Sequence, residues 1–559
     1  MTAARAVLFS VAACCLLLAS SSCGEAASST PPVTAGGSSA APATPPAAEK
    51  PGPDGFPERW LYAGANLGDD AGMAAFEKLL DAAHANHCTH VLMPEGRWLK
   101  FPHDEAYIAR VAKVKAYAQK LGLTIIPEVI SIGYSGRYFC YGANLAAGLP
   151  VKDMPFIVKN GVAQPDPAID PDLTGVKIDG DQAAGVVKLT PFIHYRLTFR
   201  LTGKTDAKDL PQDDSVIFGV SSAGKRRLIV TNPRYQPEAD GKGFRGLTTF
   251  NSLDADAMKL HIDGHGWQVS DMKIDCAGLL LIVRRKIVPL TVQSADGKTT
   301  YVEGRDFVPV EDPCLKVTPY SGDTTNDHAP AVLTLTPDSR IHAGEHLKLS
   351  FWHTLRIYDD QDSMSLTDPR TFEILEKEFK DCDRIWKATG YMLGYDEIRI
   401  GGWEPRPDGR TLTPGEMLAE HFKWSYDLVK QVAPDATVYT WSDMFTPFHN
   451  ARPADKGGDY YLVNGTWAGS WKGLPKDVVI LNWYAPTAAS IQFFADRGNP
   501  QVLCGFYDAS KTAQMQENID HWLKVSKGQP GILGFMYTTW GRHYAPLGEY
   551  FKLLDKARD

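Results

Sequence analysis

Short apolar segments alternate with helical segments along most of this chain, and one long β-rich stretch interrupts them. Strands alternating with helices of this length pair in parallel, and eight such units match the count of a (β/α)8 TIM barrel. The sequence therefore predicts an α/β protein built on that barrel. The predicted strands are Trp60–Asn66, Thr89–Met93 and Leu123–Ile130 before the β-rich stretch, then Met392–Ile398, Thr437–Ser442, Val478–Trp483, Gln501–Tyr507 and Ile532–Thr538.

Residues 151–358 have a different sequence pattern. Polar and apolar residues alternate in stretches such as 194–201 and 331–336, clusters of Gly, Asp and Pro separate these stretches, and helical periodicity is sparse. A period of two with frequent turns indicates antiparallel strands. We therefore predict a sandwich-like, β-rich module inserted after the third barrel strand, with the barrel made from residues 58–150 and 359–559.

Residues 1–57 are predicted to lie outside the fold. Arg5 precedes an apolar run over residues 6–19, and small residues follow before Cys23, which is typical of an export signal over residues 1–23. A small-residue run ending in Cys also resembles the bacterial lipobox, with lipidation at Cys23 and a second match ending at Cys14. Ala, Ser, Thr, Pro and Gly dominate residues 24–57, so a disordered linker is expected there. The expected location is the bacterial periplasm or cell surface, with a lipid anchor in the membrane.

Charge, glycine and cysteine patterns argue against several functions. The formal net charge is −8 over 559 residues and no basic stripe is present, so nucleic-acid binding is not expected. No Gly-rich turn follows the first strand and no Cys-x-x-Cys occurs, so neither a cofactor nor a metal is predicted. The acidic run at residues 359–362 offers oxygen ligands of the kind that bind calcium, but a solvated loop is the expectation. A Cys276–Cys314 disulfide and the oligomeric state stay open.

The C-terminal ends of the predicted barrel strands are rich in carboxylates and aromatic rings. Active sites of TIM barrels lie at these ends, so these side chains are expected to share one mouth. Aromatic faces stack on sugar rings, and acids bind hydroxyls and drive glycosidic chemistry. The mouth is therefore predicted to bind a glycan. The predicted substrate-binding residues are Arg97, Glu128, Trp441, Asp443, Asn482, Trp483, Tyr507, Asp508, Tyr537 and Trp540, and Glu95 also ends a strand.

Two adjacent carboxylates, Asp396 and Glu397, follow the fourth predicted strand and are the leading catalytic candidates. Neighbouring side chains point to opposite faces of a regular strand, so both can enter the mouth only if the strand breaks near Tyr395. Gly394 before the pair and the Gly-Gly dipeptide at residues 401–402 permit such a bend.

These features resemble the family 20 β-N-acetylhexosaminidases and the related family 123 enzymes. The similar features are the eight-strand order, an Asp-Glu pair after strand four, Trp after strands five and eight, and Trp-Tyr after strand six. The Pro127-Glu128 segment of strand three is also similar to family 20. The resemblance covers residues 58–150 and 360–559 and does not include the inserted module.

The resemblance implies roles for the residues at the predicted site. Glu397 would be the general acid and base, and it must be protonated when it meets the substrate. Asp396 would orient the substrate's 2-acetamido group, whose carbonyl oxygen attacks the anomeric carbon, and Tyr484 would donate a hydrogen bond to that oxygen. The aromatic walls of the sugar site would be Trp441, Trp483 and Trp540.

Two stretches depart from the family 20 pattern. Met392 and Tyr395 stand where the family has His and Gly, and Ile132-Gly133-Tyr134 stands where it has Pro-Gly-His. These differences leave the sugar and its linkage open.

The leading hypothesis is an exported glycoside hydrolase, a retaining β-N-acetylhexosaminidase-like enzyme with a substrate-assisted mechanism. One alternative is a glycosidase of another specificity that uses Glu397 with a separate carboxylate such as Glu128, Glu404 or Asp508. The other alternative is a non-catalytic surface lipoprotein whose β-rich module binds glycans.

Overall fold

The computed structural model describes residues 58–204, 206–211, 216–222, 225–231, 233–314, 328–357, 361–483, 487–505, 507–508 and 511–557. The predicted export signal, the linker and Cys23 lie outside these stretches. Tyr484 also falls outside the described residues.

Eight parallel strands close into a barrel, as the sequence predicts. Each strand pairs with the next along the chain, and the last returns to pair with the first, with Trp60 opposite Met536. Three strands precede the β-rich stretch and five follow it. In chain order they are β1 (Glu58–Tyr62), β2 (His90–Met93), β3 (Thr124–Val129), β4 (Gly390–Leu393), β5 (Thr437–Trp441), β6 (Val479–Asn482), β7 (Gln501–Cys504) and β8 (Ile532–Tyr537).

Helices pack around the outside of this barrel. Asp69 begins α1 by accepting a hydrogen bond from the Gly72 N–H at 2.7 Å, and Thr413 with Glu416 forms a capping box at the start of α5. The helices are α1 (Asp70–Ala85), α2 (Arg97–Lys100), α3 (Glu105–Lys120), α4 (Pro369–Trp386), α5 (Pro414–Val432), α6 (Ala488–Arg497), α7 (Thr512–Ser526) and α8 (Leu547–Lys556).

Antiparallel sheets fill the chain between β3 and α4 and have their own hydrophobic core. The described strands form sheets of seven, five and four members. They are Leu149–Lys159, Val162–Pro165, Val176–Asp179, Gln182–Lys188, His194–Thr202, Val216–Ser222, Lys225–Thr231, Arg234–Pro237, Gly243–Asn251, Ala257–Asp263, Gln268–Cys276, Ile282–Val283, Thr291–Ser294, Thr300–Tyr301, Leu333–Thr334 and His346–His353. A short parallel pair, Ile400–Gly401 with Leu462–Val463, follows β4 and lies outside these sheets.

Side chains of each barrel strand alternate between two cores. In β6, Val479 and Leu481 belong to the cluster inside the barrel, whereas Ile480 packs in the cluster between strands and helices. Met392 of β4 is fully buried inside the barrel. This alternation decides which residues at the strand ends can reach the mouth.

Candidate active site

The backbone turns sharply where Asp396 and Glu397 leave the barrel. Strand β4 ends at Leu393, and Glu397 adopts a left-handed conformation with φ of +44°. The Glu397 N–H donates to Asp443 Oδ2 at 3.0 Å. A Cβ atom on Gly133 would lie 1.9 Å from the Asp396 carbonyl oxygen, so only glycine permits this approach. The break lets both carboxylates reach the same site.

Tyr395, immediately before the pair, is buried away from the mouth. Its hydroxyl lies 2.7 Å from Ser425 Oγ and 2.5 Å from His421 Nδ1, both on α5. Tyr395, one of the residues that depart from the family 20 pattern, therefore anchors the start of the loop that carries Asp396 and Glu397 to α5.

Three donors surround the Glu397 carboxylate, whose side chain is only 13% exposed. Arg399 Nη2 lies 3.0 Å from Oε1, and Gln361 Nε2 donates to Oε2 at 2.8 Å. The Tyr134 hydroxyl also donates to Oε2. The Glu397 carboxylate therefore accepts hydrogen bonds from one guanidinium and two neutral donors.

Asp396 has the opposite surroundings. Burial raises the pKa of Asp396 well above its usual range, and the nearby carboxylates of Glu128, Asp443 and Glu397 raise it further. Burial also raises the pKa of Asp443 to about 7 and raises the pKa of Glu128. Carboxylates this close cannot all ionise, so the group containing Asp396 retains protons near neutral pH. The pKa values of Asp396, Asp443 and Glu128 are therefore all raised, whereas Glu397 is surrounded by hydrogen-bond donors.

Three tryptophans form an aromatic cluster at the barrel mouth. The ring centroid of Trp441 lies 6.4 Å from that of Trp483 and 5.8 Å from that of Trp540, and Trp483 and Trp540 are 5.9 Å apart. Tyr62 contacts Trp540 at 4.8 Å, and the Glu128 and Asp396 carboxylates raise the pKa of its hydroxyl beyond the effect of burial. Tyr62 therefore joins the aromatic cluster to the acidic cluster.

Three predicted mouth residues point the other way. Asn482 Nδ2 donates to Gln501 Oε1 at 2.9 Å, and the Tyr507 hydroxyl donates to Asn518 Oδ1 at 2.7 Å. Tyr507 and Tyr537 both pack in the core outside the barrel. Leu481 and Trp483 face inward, so Asn482 between them must face outward. The prediction that these three side chains line the mouth is wrong.

Two further predicted residues have structural contacts. Arg97 lies 3.6 Å from Asp104 Oδ2, the N-cap carboxylate of α3. Asp508 accepts hydrogen bonds from the Trp540 and Gly541 N–H groups at 2.8 and 2.9 Å. Arg97 thus braces the start of α3, and Asp508 holds the loop that carries Trp540.

Glu95, at the end of β2, also turns outward. It accepts hydrogen bonds from the Tyr107 hydroxyl at 2.9 Å and the Arg97 N–H at 3.0 Å. Burial nevertheless raises its pKa from 4.5 to about 7. Folding therefore favours a protonated Glu95.

This shift predicts how stability depends on pH. Between pH 4.5 and about 7 the folded protein keeps the Glu95 proton that the unfolded chain releases, so this contribution to stability falls as pH rises. Glu95→Gln should remove it. We expect wild type to lose about 3 kcal/mol relative to the variant across this window in urea unfolding. If the free energies of unfolding of wild type and Glu95→Gln changed in parallel with pH, the assignment would be contradicted. Glu105→Gln, which removes an exposed carboxylate on α3, is the control.

Sequence reasoning missed several residues around Glu397. Tyr134 was identified only as a departure from the family pattern, and Gln361 lies in the run expected to be a solvated acidic loop, although it is buried. Arg399, two residues after Glu397, could have been found from its charge. His449 faces Glu397, and burial lowers its pKa to about 4, so it is neutral.

The described residues contain one group of metal-ligand type, Asp312, Cys314 and His328, in the β-rich module. His328 Nε2 lies 3.0 Å from Asp312 Oδ1, and the Cys314 N–H donates to the same oxygen at 2.9 Å. Cys276 is a free thiol, so the Cys276–Cys314 disulfide is not formed. Among the described helices, none is long and apolar enough to cross a membrane.

No family model and no curated protein matches this sequence. The solved structures similar to it include a family 20 chitobiase from Flavobacterium johnsoniae, with 11% identity, 90% of this chain and 48% of that chain covered, and a TM-score of 0.39. The family 20 modules of the pneumococcal exo-β-D-N-acetylglucosaminidase match at 9% identity, with 89% and 82% covered and a TM-score of 0.34. A family 89 glycoside hydrolase from Clostridium perfringens has 8% identity, 73% and 67% coverage and a TM-score of 0.23.

This chain spans about half the length of that chitobiase. All three neighbours are glycoside hydrolases by name.

Proposed function

We propose that this protein is a glycoside hydrolase, a retaining β-N-acetylhexosaminidase-like enzyme with a substrate-assisted mechanism. The observation that supports it is the placement of Asp396 and Glu397. Both follow the fourth strand of a closed eight-stranded parallel barrel, and Tyr62 links the acidic cluster at Asp396 to three tryptophans at the same mouth. Carboxylates beside aromatic rings suit a bound sugar.

In this mechanism the substrate supplies its own nucleophile. A 2-acetamido sugar stacks on the tryptophan cluster, and Asp396 holds the amide. The acetamido carbonyl oxygen attacks the anomeric carbon, the glycosidic bond breaks, and the leaving oxygen takes a proton from Glu397. Glu397 then accepts a proton from the water that opens the cyclic intermediate, so the anomeric configuration is retained. Glu397 must therefore be protonated when it meets the substrate.

A second assignment is favoured by the observed charge pattern. Burial and neighbouring carboxylates raise the pKa of Asp396, whereas Arg399, Gln361 and Tyr134 donate hydrogen bonds to Glu397. A two-carboxylate glycosidase would use Asp396 as the acid and Glu397 as nucleophile or base.

The three separate carboxylates named by the alternative hypothesis have different surroundings. Glu404 is paired with Arg285, and Asp508 holds the Trp540 loop. Of the three, only Glu128 raises the pKa of Asp396, and its effect is smaller than that of burial. Glu128 is therefore the candidate for a reaction that pairs Glu397 with a separate carboxylate.

A panel of nitrophenyl glycosides with a thiazoline inhibitor tests these proposals. The substrate-assisted reaction predicts hydrolysis of an N-acetylhexosaminide and inhibition by the thiazoline, which mimics the cyclic intermediate. Hydrolysis without thiazoline sensitivity supports the two-carboxylate reaction. Retained glycan binding with no turnover across the panel supports a binding lipoprotein.

We also propose export and lipid attachment at Cys23. The apolar run over residues 6–19, the small residues before Cys23 and the linker over residues 24–57 support it. Palmitate labelling in a bacterial host should be lost in Cys23→Ser and kept in Cys14→Ser. Equal labelling of both variants would contradict attachment at Cys23.

A further inference from the structure

A buried segment, residues 361–368, joins the β-rich module to α4, and we call it the strap. The Asp362 carbonyl accepts a hydrogen bond from the Ser135 N–H at 2.8 Å, and the Met364 N–H donates to the Ile132 carbonyl at 3.0 Å. The strap therefore lies against the segment that follows β3, at the mouth of the barrel.

Side chains of the strap contact the loop that carries Asp396 and Glu397. Gln361 is 3% exposed, and its Nε2 lies 2.8 Å from Glu397 Oε2 and 2.6 Å from the Tyr134 hydroxyl oxygen. The Ser363 Oγ accepts hydrogen bonds from the Arg399 and Ile400 N–H groups, both at 3.2 Å. The strap thus fixes both the Glu397 side chain and the backbone just beyond it.

Gln361 differs from the other groups around Glu397 because an amide donates a hydrogen bond but does not titrate in this range. It can orient the carboxylate without adding a charge. The charged and titratable groups that face Glu397 are Tyr134, Asp396, Arg399, Asp443, His449 and Tyr460.

The far end of the strap is tied to the module. Asp368 lies 3.2 Å from Arg285 Nε, and Arg285 also pairs with Glu404. Arg285 follows the module strand Ile282–Val283, and Glu404 belongs to the loop after β4. The strap is therefore held at both ends by contacts between the module and the barrel.

We propose that Gln361 is a positioning residue for Glu397, so that the β-rich module completes the active site through the strap. This proposal rests on the proposed function in taking Glu397 as a reacting carboxylate. The module is then connected to Glu397 through Arg285, Asp368 and the rest of the strap.

Two substitutions test the role through kinetics. Gln361→Met keeps the volume but loses the donor, and kcat should fall about tenfold with KM changed less than about threefold. Gln361→Glu places a second carboxyl beside Glu397, so the limb of the kcat/KM profile set by Glu397 should move up by about one pH unit. Gln293→Glu, which makes the same change within the β-rich module and away from Glu397, is the control. Wild-type rates and pH profiles in both Gln361 variants would overturn the proposal.

A double-mutant cycle tests the contact without requiring activity. Gln361→Met, Glu397→Gln and the double variant are compared with wild type by urea unfolding. The two sites should couple by about a tenfold change in the unfolding equilibrium constant at neutral pH. Additive effects would overturn the proposal. If wild type hydrolyses no glycoside but the coupling is present, the proposed function fails while the positioning contact stands.

Discussion

Replacing Glu397 by glutamine is expected to lower kcat/KM about a thousandfold on an aryl glycoside with a poor leaving group. The amide keeps the size of the side chain but can neither donate nor accept the reacting proton. Asp396→Asn should lower kcat/KM about a hundredfold, because it loses the group that polarises the substrate's amide. Steady-state kinetics on purified protein measure both.

The leaving group separates the two assignments of the acid. A dinitrophenolate leaves without protonation, so the variant lacking the general acid should recover most of its rate on that substrate. Recovery in Glu397→Gln supports Glu397 as the acid, and recovery in Asp396→Asn supports Asp396 as the acid. Glu376→Gln, which removes an exposed carboxylate on α4, should keep the wild-type rate. Wild-type activity in both catalytic variants would contradict a role for this pair.

Removing Arg285 is expected to have the largest effect on stability. Its side chain is 6% exposed and pairs with Asp368 and Glu404, which are 11% and 7% exposed. Arg285→Met would leave two buried carboxylates without their cation. We expect a loss of about 3–5 kcal/mol in the free energy of unfolding, measured by urea denaturation.

The neighbouring Arg284 supplies a matched control. It pairs with Glu303 where the side chains are 19% and 31% exposed, so Arg284→Met should cost less than about 1 kcal/mol. Adding Glu404→Gln to Arg285→Met removes one stranded charge and should restore part of the stability. Equal losses of unfolding free energy in Arg285→Met and Arg284→Met would contradict the stabilising role assigned to the buried Arg285 network.

The barrel could be predicted because its signals are local. Each strand is a short apolar run and each helix has its own periodicity, so the chain order of the eight strands follows from counting. The Asp396-Glu397 pair could be found because its residues are adjacent and follow a strand. Even the bend at the pair followed from the geometry of strands.

The direction in which each strand-end side chain points could not be predicted from the sequence. Tyr507 and Tyr537 follow apolar runs as Trp483 does, yet they pack between strands and helices. The inward or outward direction depends on the register of each strand, and an error of one residue exchanges the two faces. Position at the end of a strand therefore does not by itself predict that a side chain lines the mouth.

The sequence by itself determined the barrel, the long β-rich insertion and the adjacent carboxylates, because these depend on residues close together in the chain. Only the tertiary structure decided the surroundings of those carboxylates. Gln361 and Tyr134 are 36 and 263 residues from Glu397 in the chain but contact it in the fold. Protonation depends on burial and on charges brought together by packing. For that reason the tertiary fold, and not the Asp-Glu motif, surrounds Glu397 with hydrogen-bond donors and Asp396 with other carboxylates.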